Sequence, residues 1–383
     1  MNPRAYTAWV IGGCLALLAP VLILNLMLLA NDQRHDKNRL ASRWQQETGG
    51  VTYAPPITSN RPFKTLRLAD RLPEINALVF GSSTAMSITA DALPPELRAY
   101  NFAQTGNPLL SVIGEATYVI THFGDHVRWL VIPVDWSLGF VYQSGAPYSA
   151  DLSPAKVAPP SALPLATRIR EALSLPRIST LAGILREIAV AKDRAALARH
   201  FFTDAAGDPY PCAEGGTALD FDVTFRGQCV GFRADGSATF ADQKRISAAT
   251  AAGVIAQAAS ASSQYAGALD RKAGQPDAEL LNHLSALLKQ ARARDIRVVF
   301  YLPPLIPGLD ARLAASAHSG EKLRRTKAVL AQWAKQQQTV IFDAGASEQY
   351  GCTATEFIDA HHALPVCYRK IMARLLAPER STP

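Results

Sequence analysis

Apolar residues fall along this chain in two rhythms. The first is a single long block: residues 8–30 are apolar apart from Asn25 and carry no charge. As a helix rising ~1.5 Å per residue, this block reaches about 35 Å, enough to cross a bilayer core of ~30 Å. Pro20 lies within it, a residue that membrane helices tolerate. A cleaved signal peptide competes with this reading. The length of the run, with no clear small-x-small cleavage site after it, favours a retained anchor.

The second rhythm is a series of short, nearly continuous apolar runs: Ala77–Phe80, Ala99–Phe102, Trp129–Val134, Arg297–Leu302 and Thr339–Phe342. Strands buried on both faces read this way, whereas half-exposed strands alternate. Helical patterns lie between several of them, at about Leu110–Phe123, Ala278–Arg294, Glu321–Gln337 and Tyr368–Leu376. Strand alternating with helix predicts right-handed crossovers and a parallel sheet. The expected fold class is therefore α/β, a three-layer flavodoxin-like sandwich with a parallel sheet, preceded by the transmembrane helix.

The alternation stops between the third and fourth runs. Pro and Ala dominate 147–164, a helical stretch follows at about Leu165–Phe202, and a Gly-, Asp- and Cys-containing segment covers 203–240. An Ala/Ser-rich, helix-compatible stretch then runs over about Asp242–Leu269. The whole of 147–270 reads as a largely helical insertion or cap. Residues 31–70 are polar at first and then rich in Pro, Thr and Gly around Val51–Pro62, as a stalk would be. The expected organisation is an anchor at 1–30, a stalk or linker at 31–70, and one domain at 71–378 carrying the insertion.

Composition narrows the setting. With 383 residues, 48% hydrophobic and 19% charged, the chain can build a real core and does not read as disordered. The net charge of +7 is spread out, which suits an anionic polymer or a membrane surface. No basic run with interleaved aromatics marks a nucleic-acid site, so no nucleic-acid partner is expected. Of five cysteines, Cys14 lies in the apolar block, and the rest fall into two local pairs, Cys212 with Cys229 and Cys352 with Cys367. Two disulfides would each close a loop of about fifteen residues, worth about 3 kcal/mol in the chain-entropy model, and would place the domain in an oxidising compartment. Four buried thiols are the alternative. No C-x-x-C or H-x-x-x-H spacing calls for a metal. Charge counting points the other way on orientation: Arg4 precedes the apolar block, while Arg34, Lys37, Arg39 and Arg43 follow it. Large domains translocate regardless of such charges, and the cysteines favour a single-pass inner-membrane protein with a periplasmic C-terminal domain.

Three segments carry candidate chemistry. The first run ends in Gly81-Ser82-Ser83, so Ser83 would stand at the carboxyl end of a parallel strand, where open α/β sheets bind ligands. Its backbone N–H would face a developing oxyanion. Ser82, Ser83 and Thr84 also suit a plain helix cap. After the second run, Gly106 offers a second backbone N–H and Asn107 a side-chain donor, although an ordinary turn explains this segment better when it is taken in isolation. Near the C-terminus, Asp359-Ala360-His361-His362 sets an aspartate three residues before a histidine. A serine hydroxyl is a poor nucleophile until a base and an orienting group join it. His362 as base and Asp359 as its orienter would complete Ser83, with His361 competing for the base role. A Cys352–Cys367 disulfide would tie down this loop.

Together these residues resemble the SGNH/GDSL hydrolase superfamily. Gly81-Ser82-Ser83 is similar to its Ser block, with Ser82 where Asp is usual. Thr105-Gly106-Asn107 is similar to its Gly block, and Asp359 to His362 to its final D-x-x-H. The Asn block, normally G-x-N-D after the third strand, is replaced by Ile132-Pro133-Val134-Asp135-Trp136. Asp135 is no anion donor, but it suits a substrate hydroxyl. The G-S-S motif, the anchor and Leu302-Pro303-Pro304 resemble the membrane-tethered branch that includes the alginate acetylation factors and the teichoic-acid D-alanylation protein. The resemblance covers about 75–140 and 295–378. It implies an anchored extracytoplasmic serine esterase or O-acyltransferase acting on a surface polysaccharide. It also implies a membrane-bound O-acyltransferase as candidate partner and chemistry that needs no cofactor. The rival expectation is a non-catalytic polysaccharide-binding or assembly partner of a membrane acyltransferase complex.

Overall fold

The computed structural model describes residues 3–34, 42, 45–47, 49, 52–53, 61–136, 165–191, 231–238, 245–271 and 275–376. The chain divides into two compact units, 1–40 with 154–209 and 41–153 with 210–383. Residues of the 147–270 stretch thus fall in both. Cys212 and Cys229 lie outside the described residues.

In the first unit, the apolar block forms one helix, Pro3–Arg34. Its stretch Ala5–Leu29 is long and apolar enough to cross a membrane, a test that a signal sequence also passes. Helices Leu165–Ala172 and Leu175–Ala191 follow the expected helical region, with a break where Pro176 fits only a first helical turn. Leu28 and Leu181 are buried together, flanked by Val21, Leu24, Met27, Ile184 and Ile188. Asn25, the polar exception in the block, donates from Nδ2 to the carbonyl of Ala172 at 2.8 Å, which satisfies its donor, while its buried Oδ1 has no partner among the described residues.

The second unit holds a five-stranded sheet: β1 (Ala77–Val79), β2 (Ala99–Asn101), β3 (Trp129–Pro133), β4 (Arg297–Leu302) and β5 (Ile341–Asp343). The spatial order is β2-β1-β3-β4-β5, and every neighbouring pair is parallel. Continuous apolar runs bury both faces: Leu78, Phe80, Leu130, Val131, Ile132, Phe300 and Tyr301 are all excluded from solvent. Only the edge strand β5 ends in an exposed residue, Asp343.

Helices Leu109–Phe123 and Ala278–Arg292 pack on each other. Helix Gly320–Gln336 joins them through Trp333, whose Nε1 donates to Ser285 Oγ at 3.0 Å and whose ring meets Phe300 edge-on. The last helix, Pro365–Leu375, begins three residues earlier than its apolar pattern, because proline fits a first helical turn. Instead of the helix expected after β1, two 3₁₀ turns, Ser83–Ala85 and Ala90–Ala92, lead towards β2. Three consecutive hydroxyl residues compete for backbone bonds there, and Pro94-Pro95 stops any continuation.

Two further expectations are revised. The Ala/Ser-rich stretch forms two helices, Ala248–Ala258 and Gln264–Asp270, because its serines cap: Ser247 Oγ accepts from Thr250 N–H and Ser263 Oγ from Ala266 N–H. The end of the expected stalk is helix Arg61–Arg71, with Phe63, Lys64 and Leu68 buried in the second unit. Pro62, read as stalk composition, lies in that helix's first turn, where its missing N–H costs nothing. Phe63 stacks on Phe232 at 5.8 Å, next to a two-residue antiparallel pairing of Thr52–Tyr53 with Gly231–Phe232.

Candidate active site

The carboxyl ends of β1 and β2 carry the two upstream segments. Gly81 follows β1 with φ +142°, and a Cβ there would lie 2.6 Å from Pro133 Cγ, so only glycine lets the chain turn this close to β3. Ser82, not Ser83, is the cap: its Oγ accepts from Thr84 N–H. That leaves the Ser83 hydroxyl to meet His362, with Ser83 Oγ 2.8 Å from Nε2 across 279 residues of sequence.

Asp359 explains how the histidine is held. Its Oδ1 accepts the backbone N–H groups of His361 and His362 at 2.9 and 2.8 Å, folding the loop into a tight turn. Its Oδ2 lies 2.6 Å from His362 Nδ1. With the proton on Nδ1, the unprotonated Nε2 faces the serine hydroxyl, the tautomer a general base needs. Burial tends to raise the Asp359 carboxyl, but hydrogen bonding with His362 and the charges of both histidines outweigh it, holding the group well below the usual carboxylate range. The Cys352–Cys367 disulfide, Cα–Cα 5.1 Å, closes the loop that carries all of this.

His361 faces elsewhere. Its Nδ1 lies 2.6 Å from the hydroxyl of Tyr265, and its ring packs 4.2 Å from the His362 ring. Burial, with the charge of His362 second, lowers its pKa, and burial raises that of the Tyr265 phenol. Both shifts favour the neutral forms, in which the 2.6 Å contact has the phenol donating to the imidazole. Tyr265 was not among the expected site residues. Its one signal in the sequence is that it is the only aromatic in the Ala/Ser-rich stretch 247–268. Asp359, His361 and His362 offer ligand atoms within 4.8 Å of one another, the spacing a metal ion would want.

The remaining expected residues divide. Gly106 sits at an exposed loop apex with φ +62°. Among the described residues, neither its N–H nor that of Ser83 meets a protein acceptor. Asn107 does not offer its amide outward: Nδ2 donates to Glu115 Oε2 at 2.9 Å, and Oδ1 accepts from Arg61 at 3.0 Å. Asp135 is buried beneath the serine turn and accepts from Ser82 Oγ and Thr84 Oγ1, each at 3.4 Å. The carbonyl of Thr84 in turn accepts from the Tyr368 hydroxyl.

Glu115 completes a buried network that sequence reading missed. Its side chain has no solvent exposure and pairs with Arg61 at 2.8 Å. Gln104 Nε2 donates to the same oxygen, Glu115 Oε1, at 3.2 Å, and Arg61 Nε donates to Gln104 Oε1 at 3.2 Å. Burial pushes the Glu115 carboxyl up to about 7, against the opposing charge of Arg61. One helical turn from Arg61, Lys64 is fully buried and donates to the carbonyls of Asn101 and Ala103, with burial pushing its pKa down to about 7.

Residues 260–378 match a family described as a protein of unknown function (DUF1574). This stretch includes Tyr265, Asp359, both histidines and the disulfide, but not Ser83. No curated protein matches the chain.

Proposed function

We propose that this chain is a membrane-anchored serine esterase or O-acyltransferase of the SGNH type. The observation that carries the reading is the continuous line from Ser83 Oγ to His362 Nε2 at 2.8 Å and from His362 Nδ1 to Asp359 Oδ2 at 2.6 Å. Support also comes from the strand order 2-1-3-4-5, which is that of flavodoxin-like doubly wound sheets, and from the placement of Ser83 beyond a strand's carboxyl end. In this reading Ser83 attacks an ester carbonyl while His362 takes its proton. The new C–O bond forms a tetrahedral oxyanion that the backbone N–H groups of Ser83 and Gly106 receive. Collapse expels the alcohol, which leaves with the proton from His362, and the acyl-serine passes to water or to another hydroxyl by the same steps reversed. The missing Asn block leaves these backbone groups as the oxyanion donors. The anchor, the disulfide and the resemblance favour an extracytoplasmic site acting on a surface polysaccharide, with a membrane-bound O-acyltransferase as partner.

The test is covalent labelling of the full chain in detergent with a fluorophosphonate, followed by identification of the modified peptide. The expected adduct is on Ser83, and Ser83→Ala should lose both the adduct and the hydrolysis of p-nitrophenyl acetate. A folded wild-type chain that neither reacts nor hydrolyses would instead favour the non-catalytic binding reading.

A further inference from the structure

Building on the esterase reading, we propose that Glu115 and Arg61 are positioning residues that set the Gly106 loop at its distance from Ser83. The loop between β2 and helix Leu109–Phe123 contains no regular structure to locate it. Nothing lies within 4 Å of where a Gly106 Cβ would stand, so packing does not hold its apex. Its place depends on the residues flanking that apex, Gln104 and Asn107. Both are gripped by the same carboxylate, at 3.2 and 2.9 Å, and both by the same guanidinium, at 3.2 and 3.0 Å.

The grip extends to the serine turn. The carbonyl of Gly81, two residues before Ser83, accepts the Gln104 N–H at 3.0 Å and Asn107 Nδ2 at 3.4 Å. Glu115 is rooted in a core helix, and Arg61 in a helix that Lys64 ties to the Asn101 and Ala103 carbonyls. A shift of the carboxylate therefore moves the loop against Ser83, not the whole domain. Stability alone is a poor reason for such a network, since apolar replacements of buried ion pairs are often neutral or stabilising. Geometry is a better one: misplacing a catalytic group by ~1 Å costs on the order of 10²-fold in rate.

The experiment compares full-length wild type with Glu115→Ala, Glu115→Gln and Arg61→Met. The readouts are kcat and KM for p-nitrophenyl acetate, the rate of fluorophosphonate addition, and thermal unfolding. Glu115→Ala should lower kcat about ten- to a hundredfold with KM within about twofold, as expected when a group acting only in the transition state is displaced. Fluorophosphonate addition should slow in parallel, because it develops charge on the same oxygen. Glu115→Gln, which keeps an acceptor for Asn107, should recover part of the loss. If Glu115→Ala does not fold, Glu115→Gln and Arg61→Met carry the comparison. Folded variants with wild-type kcat and labelling rate would overturn the inference and leave the esterase reading standing. A wild type that neither labels nor hydrolyses would overturn both.

Discussion

Replacing Asp359 by asparagine tests the site at its most constrained atom. Asn keeps an oxygen for the two backbone N–H groups that Oδ1 accepts at 2.9 and 2.8 Å, so the turn should survive. At Oδ2, however, the substitution sets an NH₂ group 2.6 Å from His362 Nδ1. That donor demands an unprotonated Nδ1, which moves the ring proton to Nε2 and turns it towards Ser83. The histidine can then no longer accept from the serine hydroxyl. Loss of the correct tautomer in a triad costs about 10⁴ in kcat, or about 5.4 kcal/mol at 1.36 kcal/mol per tenfold. Steady-state hydrolysis of p-nitrophenyl acetate should fall by about that factor with KM little changed, and fluorophosphonate addition should slow with it. A folded Asp359→Asn protein retaining more than a tenth of wild-type kcat would refute the role given to this carboxylate.

Four further outcomes are expected. The Asp359 pKa is lowered in the fold, so its stabilising contribution is present above its unfolded pKa of about 4 and is lost as pH falls below it. Thermal melts between about pH 5 and pH 2 should show a slope that flattens in Asp359→Asn, and an unchanged slope would contradict the pairing. Cys352→Ser with Cys367→Ser opens a loop fifteen residues apart in sequence and should cost about 3 kcal/mol in urea unfolding, whereas a cost near zero would mean that the loop is ordered without the bond. Gly81→Ala puts a methyl 2.6 Å from Pro133 Cγ at a φ that L-residues avoid, and should destabilise by about 1–3 kcal/mol or more; a wild-type melting curve would refute that close approach. Tyr265→Phe leaves His361 Nδ1 without its 2.6 Å partner and should cost about 1–3 kcal/mol of stability, with kcat falling less than in Asp359→Asn. An equal loss of kcat would move His361 into the chemistry.

Some of this molecule could be read along the chain because its signals are local. Leu78, Val131 and Phe300 stand in short runs with no polar interruption, and a strand covered on both faces has no other way to read. Asp359 and His362 are three residues apart, so one turn makes them neighbours, and the glycine, prolines and serines around 81–95 announce a break even though its 3₁₀ form was not foreseen. The network around Glu115 gives no such signal. Arg61 lies 54 residues before its carboxylate, in a segment whose proline and polar residues look like linker, and Glu115 is one of several polar residues in its helix, as any surface residue would be. Charged residues are usually solvated, so a buried pair is invisible until the fold supplies both members. The same reasoning applies to Lys64, whose burial follows from two carbonyls at the end of β2 that no periodicity could have placed beside it.

Among the described residues, the helix carrying Arg61 and Lys64 is the first long element of the second unit, and it holds the loop between β2 and Leu109 at Asn101, Ala103, Gln104 and Asn107. In the proposed esterase reading, nucleophile and base need rigid elements, and Ser83 and His362 stand beyond β1 and on a disulfide-closed loop. The Gly106 loop, proposed to receive the oxyanion, is held only by bonds of its flanking residues, among them those of Gln104 and Asn107 to the Gly81 carbonyl. It borrows rigidity from a helix outside the alternating β/α pattern. A version of this fold trimmed to begin at β1 would keep Ser83, His362 and Asp359 in place, yet leave Glu115 buried without its counter-charge and Gly106 without a fixed position. Such a fragment should therefore bind a serine-directed probe slowly even where it folds, and that slowness would come from the oxyanion side of the site and not from the base.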